Sequence, residues 1–254
     1  MTLKKEKSFF EIYAHEYDFL TNAHQRRASH KKEIEALINA YQPESVLDAG
    51  CATGLTSSIF SEAGVKVKGI DRSFPMIKLA KQNYGSQKHI SFQSASFEKL
   101  PKAFHQKFDM IVCLANSISG VGSLHNLTKS FKGFYNSLQP NGTLVLQLLN
   151  YVSIVDGELL PIRATRNNNI IYQRFSERRG KRLYIYVNRL DTASDPIQYE
   201  MFKHEFENFT PSEVVETLKN CKFKKIKKFS DLFLSKPFGK TSRDLVLTAT
   251  KLSK

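Results

Sequence analysis

The 254-residue chain has little that could staple it or embed it. Three scattered cysteines, Cys51, Cys113 and Cys221, show no CxxC or Cys/His spacing, which argues against a disulfide framework and a zinc site and leaves reduced, partly buried thiols. The seven histidines form no HExxH-like cluster, so no metal site is expected. No apolar run approaches the ~18 residues that a membrane span needs. The basic start, Met1 to Lys7, precedes no apolar stretch and does not read as a secretory signal. These absences point to a soluble, cytoplasmic protein with no membrane partner. Repeats and low-complexity linkers are also missing. Acids are scarce: 24 Asp and Glu against 38 Lys and Arg give a net charge of +14. That raises nucleic acid as a partner, although an anionic small substrate also suits a basic protein, so the location of the charge matters more than its sum.

What is present fits one α/β domain with a sizeable insertion. The chain is organised around Val46 to Ser57, Val-Leu-Asp-Ala-Gly-Cys-Ala-Thr-Gly-Leu-Thr-Ser. It reads as a buried strand (Ser45 to Ala49), a small-residue turn (Gly50 to Gly54), and the first turn of a helix. Glycines at 50 and 54, with Ala52 between them, let a ligand approach the main chain. The amides that open the next helix point into the same space. Such a turn at the carboxyl end of a strand is where open α/β sheets bind nucleotide-like ligands. The dinucleotide fingerprint is G-x-G-x-x-G; here Gly50, Ala52 and Gly54 fall two apart, with Asp48 two before the first.

That acid-x-G-x-(G/A)-x-G pattern resembles motif I of the class I S-adenosylmethionine (SAM) methyltransferases. The resemblance implies that Asp48, Gly50, Cys51, Ala52 and Gly54 surround SAM, with S-adenosylhomocysteine (SAH) as product. Upstream, residues 8 to 41 read as two helical pieces, with Phe9, Phe10, Tyr13 and Tyr17 and then Ile34, Leu37, Ile38 and Tyr41 at helical spacing. Tyr13-Ala-His-Glu-Tyr17-Asp18 resembles the Y-x-x-x-Y-D segment over the SAM site of small-molecule methyltransferases. Tyr17 is thus either a ligand contact or core. Arg26 and Arg27 either reach the SAM carboxylate or decorate a solvated face.

Downstream, Leu55 to Ala63 reads as a helix and Val65 to Ile70 as the second strand. Asp71 lies 23 residues after Asp48 (71 − 48), close to the ~20-residue separation that places an acid beside a ribose; capping the next helix is its other reading. Asp71-Arg-Ser-Phe-Pro-Met76-Ile-Lys-Leu-Ala80-Lys resembles the family's D-x-S-x-x-M-L-x-x-A-K run, which implies Arg72 or Met76 over the adenine. His89 to Ser94 is the third strand. In the family an adenine-binding aspartate stands four residues before the following Leu-Pro; here that place holds Ser96, beside Phe97.

Phe108 to Leu114 is an apolar fourth strand, suited to the buried centre of a parallel sheet. Ala115 to Gly120 follow at its carboxyl end, facing the sulfonium and methyl of a SAM bound as the resemblance implies, with Leu114 and Ala115 among the cofactor contacts. Cys-Leu-Ala-Asn-Ser resembles the C-L-G-N-S run of glycine N-methyltransferase-like enzymes, which implies that Asn116 and Ser117 bind substrate; capping the helix Leu124 to Leu138 is the alternative. The turn Gln139 to Gly142 leads into a fifth strand, Thr143 to Leu148. Asn150-Tyr151 matches the Asn-Tyr that follows this strand in the same group, but Leu149 replaces the arginine that grips the amino-acid carboxylate there. Glycine is therefore a poor candidate substrate.

Ile170 to Phe175 and Leu183 to Asn188 alternate about an Arg179-Gly180 turn, and Tyr199 to Phe206 completes a small antiparallel sheet. Its place directly after the fifth strand makes it a lid. From Arg163 to Arg189 eight basic residues face one acid, Glu177, which reads as a solvated surface or as an anion-recognising face that includes Arg174. Thr210-Pro-Ser-Glu213 opens a helix; Phe223 to Phe229 and Asp244 to Lys251 are the last two strands. The lysines from 222 to 228 read as edge-strand protection.

The expected fold is a Rossmann-like α/β sheet of seven strands, six parallel and the last antiparallel, with N-terminal helices and a β lid. The expected division is 1–150 for the helices and SAM-binding half, 151–208 for the lid, and 209–254 for completion of the sheet. The implied function is SAM-dependent methyl transfer to a small molecule, with Asn116, Ser117, Asn150, Tyr151 and Arg174 around the acceptor. No acid or base is fixed; Tyr151, His15 and His204 are the candidates. The alternatives are an RNA methyltransferase, disfavoured by the lack of an N-P-P-Y-type motif and of an appended RNA-binding module, and a SAM-binding protein without catalysis.

Overall fold

The computed structural model describes residues 9–100, 107–151 and 154–253; the basic start Met1 to Lys7 and Pro101 lie outside them. The N-terminal segment comprises α1 (Phe9–Ile12), a 3-10 turn (Ala14–Glu16), α2 (Tyr17–Leu20) and α3 (Ala23–Tyr41). Two helical pieces were expected; the first is itself broken at Tyr13 and between Leu20 and Ala23.

The main sheet takes β1 (Ser45–Ala49), β2 (Lys66–Asp71), β3 (Ile90–Ser94), β4 (Phe108–Cys113), β5 (Leu138–Leu149), β10 (Lys224–Phe229) and β11 (Asp244–Thr250). Their order is β10-β11-β5-β4-β1-β2-β3. Strands β1 to β5 run parallel, and β11 is antiparallel to both of its neighbours. Hence six strands share one direction and the last opposes them, as expected. Helices α4 (Leu55–Glu62), α5 (Phe74–Tyr84), α6 (Leu124–Ser137) and α7 (Pro211–Asn220) cover the two faces.

Alternation along the central strands sorts side chains between two cores. Leu47, Ile111, Cys113, Leu144, Leu146, Leu245 and Leu247 meet Phe131, Phe134 and Leu218 of α6 and α7. Val46, Met110, Val112, Val145 and Val246 meet Leu37 of α3 and Phe60 of α4 on the other face. Burial on both faces explains the continuous apolar runs. Helix starts follow cap chemistry: Ser73 accepts from the Met76 amide, Ser123 from Asn126, and Thr210 shares a capping box with Glu213.

Two details depart from the expectations. Gln139 to Gly142 is not a separate turn but a bulge within β5, where the pairing jumps from Phe108–Leu138 to Met110–Thr143. The bulge is held by bonds from the Asn141 amide to the Lys251 carbonyl and from the Lys251 amide to the Gly142 carbonyl. The second sheet has four strands rather than three: β6 (Leu159–Asn167), β7 (Ile170–Arg179), β8 (Arg182–Asp191) and β9 (Gln198–Glu207). The β7–β8 hairpin turns at Gly180-Lys181 and not at Arg179-Gly180, because Arg179 already pairs with Arg182.

Tyr172 and Val187 of this sheet pack on Phe9 and Leu20, so the second sheet, the expected lid, rests on the N-terminal helices. On its other side β9 runs beside the 3-10 turn Ser117–Val121 that follows β4.

Candidate active site

The Gly50–Gly54 turn lies at the carboxyl end of β1, between β2 and β4. Gly50, Ala52 and Gly54 all take positive φ, at 87°, 47° and 94°, a conformation that favours small residues. The two glycines serve different neighbours. A Cβ on Gly50 would stand 2.6 Å from Ser117 Oγ and 3.3 Å from the Phe97 ring, so Gly50 lets the turn approach the loop after β4 closely. A Cβ on Gly54 would meet Phe92 and Tyr84, both at 2.9 Å, so Gly54 serves packing against α5 and β3.

Main-chain bonds pin the turn to β2. The amides of Gly50 and Cys51 both donate to the Ile70 carbonyl, at 2.8 and 3.0 Å, and the Ala52 amide donates to Asp71 Oδ2 at 3.1 Å. Asp71 Oδ1 accepts from the Ser73 amide at 2.8 Å. The cap of α5 is therefore Ser73, not Asp71. An ionised carboxylate offers about four lone-pair sites; the Ala52 and Ser73 amides take two of them, and the Arg72 amide also bears on the carboxylate. Burial raises the pKa of Asp71 against the lowering effect of these amides.

Asp48 is buried and takes the hydroxyl of Ser57 at 2.6 Å, which joins β1 to α4. Burial pushes its pKa up to about 6. Cys51 is buried and its thiol is pushed well up for the same reason. Tyr17, half-buried, lies within the field of Asp71, Arg26 and Arg174, and burial raises its phenol. Its neighbour Asp18 accepts from Thr53 Oγ1 at 2.6 Å, which ties α2 to the glycine turn. Arg27 is engaged by Glu62 and Ser58 at 2.5 and 3.3 Å. Arg72 donates to the Gly120 carbonyl at 3.2 Å. Met76 is buried in α5, while Ser96 and Phe97 open a 3-10 turn, with the Phe97 ring 5.7 Å from Phe134.

Beyond β4, Leu114 is buried, and Ala115 and Asn116 both take positive φ. The loop is held by Gln147, which accepts the Ala115 amide through its side chain at 3.2 Å and the Asn116 amide through its carbonyl at 3.0 Å. Neither Asn116 nor Ser117 caps α6, because Ser123 does. The Asn116 side chain accepts from Ser119 Oγ at 2.9 Å and the Leu149 amide at 3.2 Å, and donates to the Tyr151 hydroxyl. Tyr151 is buried and its hydroxyl proton remains available to donate; burial pushes its pKa far up, which leaves it a donor rather than a base. Asn150 donates to the carbonyls of Lys240 and Ser242 at 3.0 and 2.8 Å.

The two candidate histidines differ. His15 is exposed beside Glu16. His204 is 9% exposed, stacks on Phe10 at 4.5 Å, and has a buried Nε2 without a partner among the described residues. Burial and the nearby Arg72 lower its pKa to about 4, so it is neutral at pH 7. Sequence reasoning missed Ser57, Thr53 and Gln147 as holders of the site. Asp18 stood in the Tyr-Asp motif and was the signal for the Thr53 contact.

The family model for a methyltransferase domain matches residues 46–142, from β1 into the β5 bulge. Over these residues the chain is similar to a methyltransferase domain. A glycine/sarcosine N-methyltransferase of Aphanothece halophytica is 28% identical over 152 residues, which span 59% of this chain and 57% of that protein. A SAM-dependent methyltransferase of Clostridium acetobutylicum superposes with a TM-score of 0.76 at 17% identity, over 95% of this chain and 98% of its own. CalS10, an amino pentose methyltransferase of Micromonospora echinaspora solved with SAM, gives 0.72 at 19% identity, over 98% and 100%. These superpositions extend the likeness in fold across the lid. Among the described residues, no helix is long and apolar enough to cross a membrane.

Proposed function

We propose that the protein transfers the methyl group of SAM to a small, anionic metabolite, leaving SAH. The observation that carries this reading is the pinned glycine turn with Asp71 beside it. The carboxylate keeps acceptor capacity beyond these amides, which suits the hydroxyls of a ribose, and the main chain at Gly50 lies too close to Ser117 for any Cβ. Bound SAM supplies an electrophilic sulfonium methyl. The chain's own task is then to position the acceptor and keep out water; proximity of this kind is worth up to ~7–11 kcal/mol. In this reading Asn116 orients Tyr151, whose hydroxyl donates to the acceptor, and the lid closes over the pair. A cytoplasmic setting suits the three buried thiols.

RNA is the rival acceptor because of the charge. The lysines of β10 lie on the exposed edge of the main sheet, however, and not on the lid. The test is methyl transfer from labelled SAM into total RNA and, separately, into a small-metabolite extract. Label should appear in the extract and fall with Arg174→Gln. Label in RNA, abolished by charge reversal at Lys224 and Lys227 but not by Arg174→Gln, would overturn the small-molecule reading.

A further inference from the structure

The eight basic residues between Arg163 and Arg189 do not behave alike. Arg178 pairs with Asp156 at 3.6 Å, Arg179 with Glu177 at 2.6 Å, Lys181 with Glu213 at 3.2 Å and Arg189 with Glu16 at 2.9 Å. Arg182 holds Glu205 and Glu207 at 3.2 and 2.6 Å. Arg166 donates to the Asn168 carbonyl at 3.0 Å. Arg163 and Arg174 remain, and the β6–β7 register sets them directly opposite each other. Like charges across a ladder destabilise it. Arg174 Nε is also buried without a hydrogen-bond partner, and a buried donor left unpaired is costly. Arg26 of α3 adds a third positive charge to the field at Arg174. Among the described residues none of the three has a carboxylate within ion-pair distance. Arg26 and Arg174 lie in the field of Tyr17, and strand β7, which carries Arg174, packs on the N-terminal helices through Tyr172.

An anion between these side chains would remove the repulsion and satisfy the buried donor together. We infer that Arg163 and Arg174, backed by Arg26, form an anion site that holds a carboxylate or phosphate group of the methyl acceptor. This rests on the methyltransferase reading. The guanidinium fork matches both anions in a two-pronged geometry. Two of the three arginines belong to the lid and not to the sheet that carries the glycine turn, which favours the acceptor's anion over the carboxylate of SAM itself.

The test is calorimetry on the full chain, with the parent and the Arg163→Gln/Arg174→Gln double variant, each checked for folding by circular dichroism. Inorganic phosphate and malonate are titrated into the SAH-loaded proteins. The parent should bind at least one of them, and the variant should lose roughly ten- to hundredfold in affinity, the range for hydrogen bonds to charged groups. Affinity for SAH should change less than about twofold. Failure of both anions to bind the parent at millimolar concentration, or equal binding by the variant, overturns the site. A matching loss of SAH affinity, with 5′-methylthioadenosine, which lacks the carboxylate, unaffected, assigns the arginines to the cofactor and overturns the acceptor assignment. If the parent does not bind SAH, the methyltransferase reading falls, and phosphate titration of the ligand-free parent and variant decides the anion site alone. Should the double variant misfold, Arg163→Gln alone, at an exposed position, carries the same comparison.

Discussion

At the scale of single residues, Asp71 ties the glycine turn to α5, and the proposed function adds a ribose to its partners. Its two oxygens take the amides of Ala52 and Ser73, so it sets the shape of the glycine turn and the start of α5 together. Replacement by asparagine keeps one acceptor but turns an NH2 toward one of these amides, donor against donor. Alanine removes both acceptors and leaves two amides unmatched. Both variants should therefore lose SAH affinity by about 1.5–3 kcal/mol, roughly ten- to hundredfold, through the lost charge-assisted bonds to the ribose. Isothermal titration of Asp71→Asn and Asp71→Ala measures this. Affinities equal to that of the parent would leave Asp71 as a clamp on the turn and nothing more.

At the scale of elements, the N-terminal helices act as a strap between the cofactor turn and the lid. One end is the Asp18–Thr53 bond at 2.6 Å. The other is Arg189, which grips Glu16 with two bonds of 2.9 and 3.0 Å and stacks 4.5 Å above the Tyr13 ring. Asp18→Ala and Thr53→Val should each destabilise the fold, and together by less than the sum, with a coupling of about 1.5–3 kcal/mol for a hydrogen bond to a charged group. Urea unfolding of the two single variants and the double variant gives this coupling; additivity within ~0.5 kcal/mol would mean that the strap contributes nothing through this bond. The strap also shows what local pattern reveals. Strands β1, β4 and β11 were legible because burial on both faces leaves runs such as Phe108 to Cys113. Strand β6 was not: its residues are half-buried or exposed, and Pro161 stands within it, as an edge strand permits. The glycine turn and Asp71 could be read because their spacing is local. The partners of Asn116 could not, since Leu149 and Tyr151 lie 33 and 35 residues away and meet it only through the β4–β5 register. Which lid arginines find acids is likewise a matter of strand pairing that composition does not carry.

At the scale of the whole molecule, the net charge of +14 conceals two buried groups that titrate against each other. Burial lifts Asp48 from 3.8 to about 6. The native state then holds that proton more tightly than the unfolded chain, so its stabilisation is full below about pH 3.8 and is lost as the pH rises through about 6. His204 is shifted the other way, from 6.5 to about 4. Its contribution is full above about pH 6.5 and is lost as the pH falls through about 4. At 1.36 kcal/mol per pKa unit each contribution is worth about 3 kcal/mol, and over the same window the two nearly cancel. The variants separate them. Asp48→Asn keeps an acceptor for Ser57 and removes the group that gains stability in acid, so from pH 7 to 4.5 it should lose about 2–3 kcal/mol more than the parent. His204→Gln removes the group that loses stability in acid, and over the same step it should lose about 2–3 kcal/mol less. Urea unfolding of the three ligand-free proteins at both pH values gives these differences, and general charge repulsion drops out because it is common to all. Parallel pH profiles for parent and variants would mean that neither group is held in the shifted state that its burial implies.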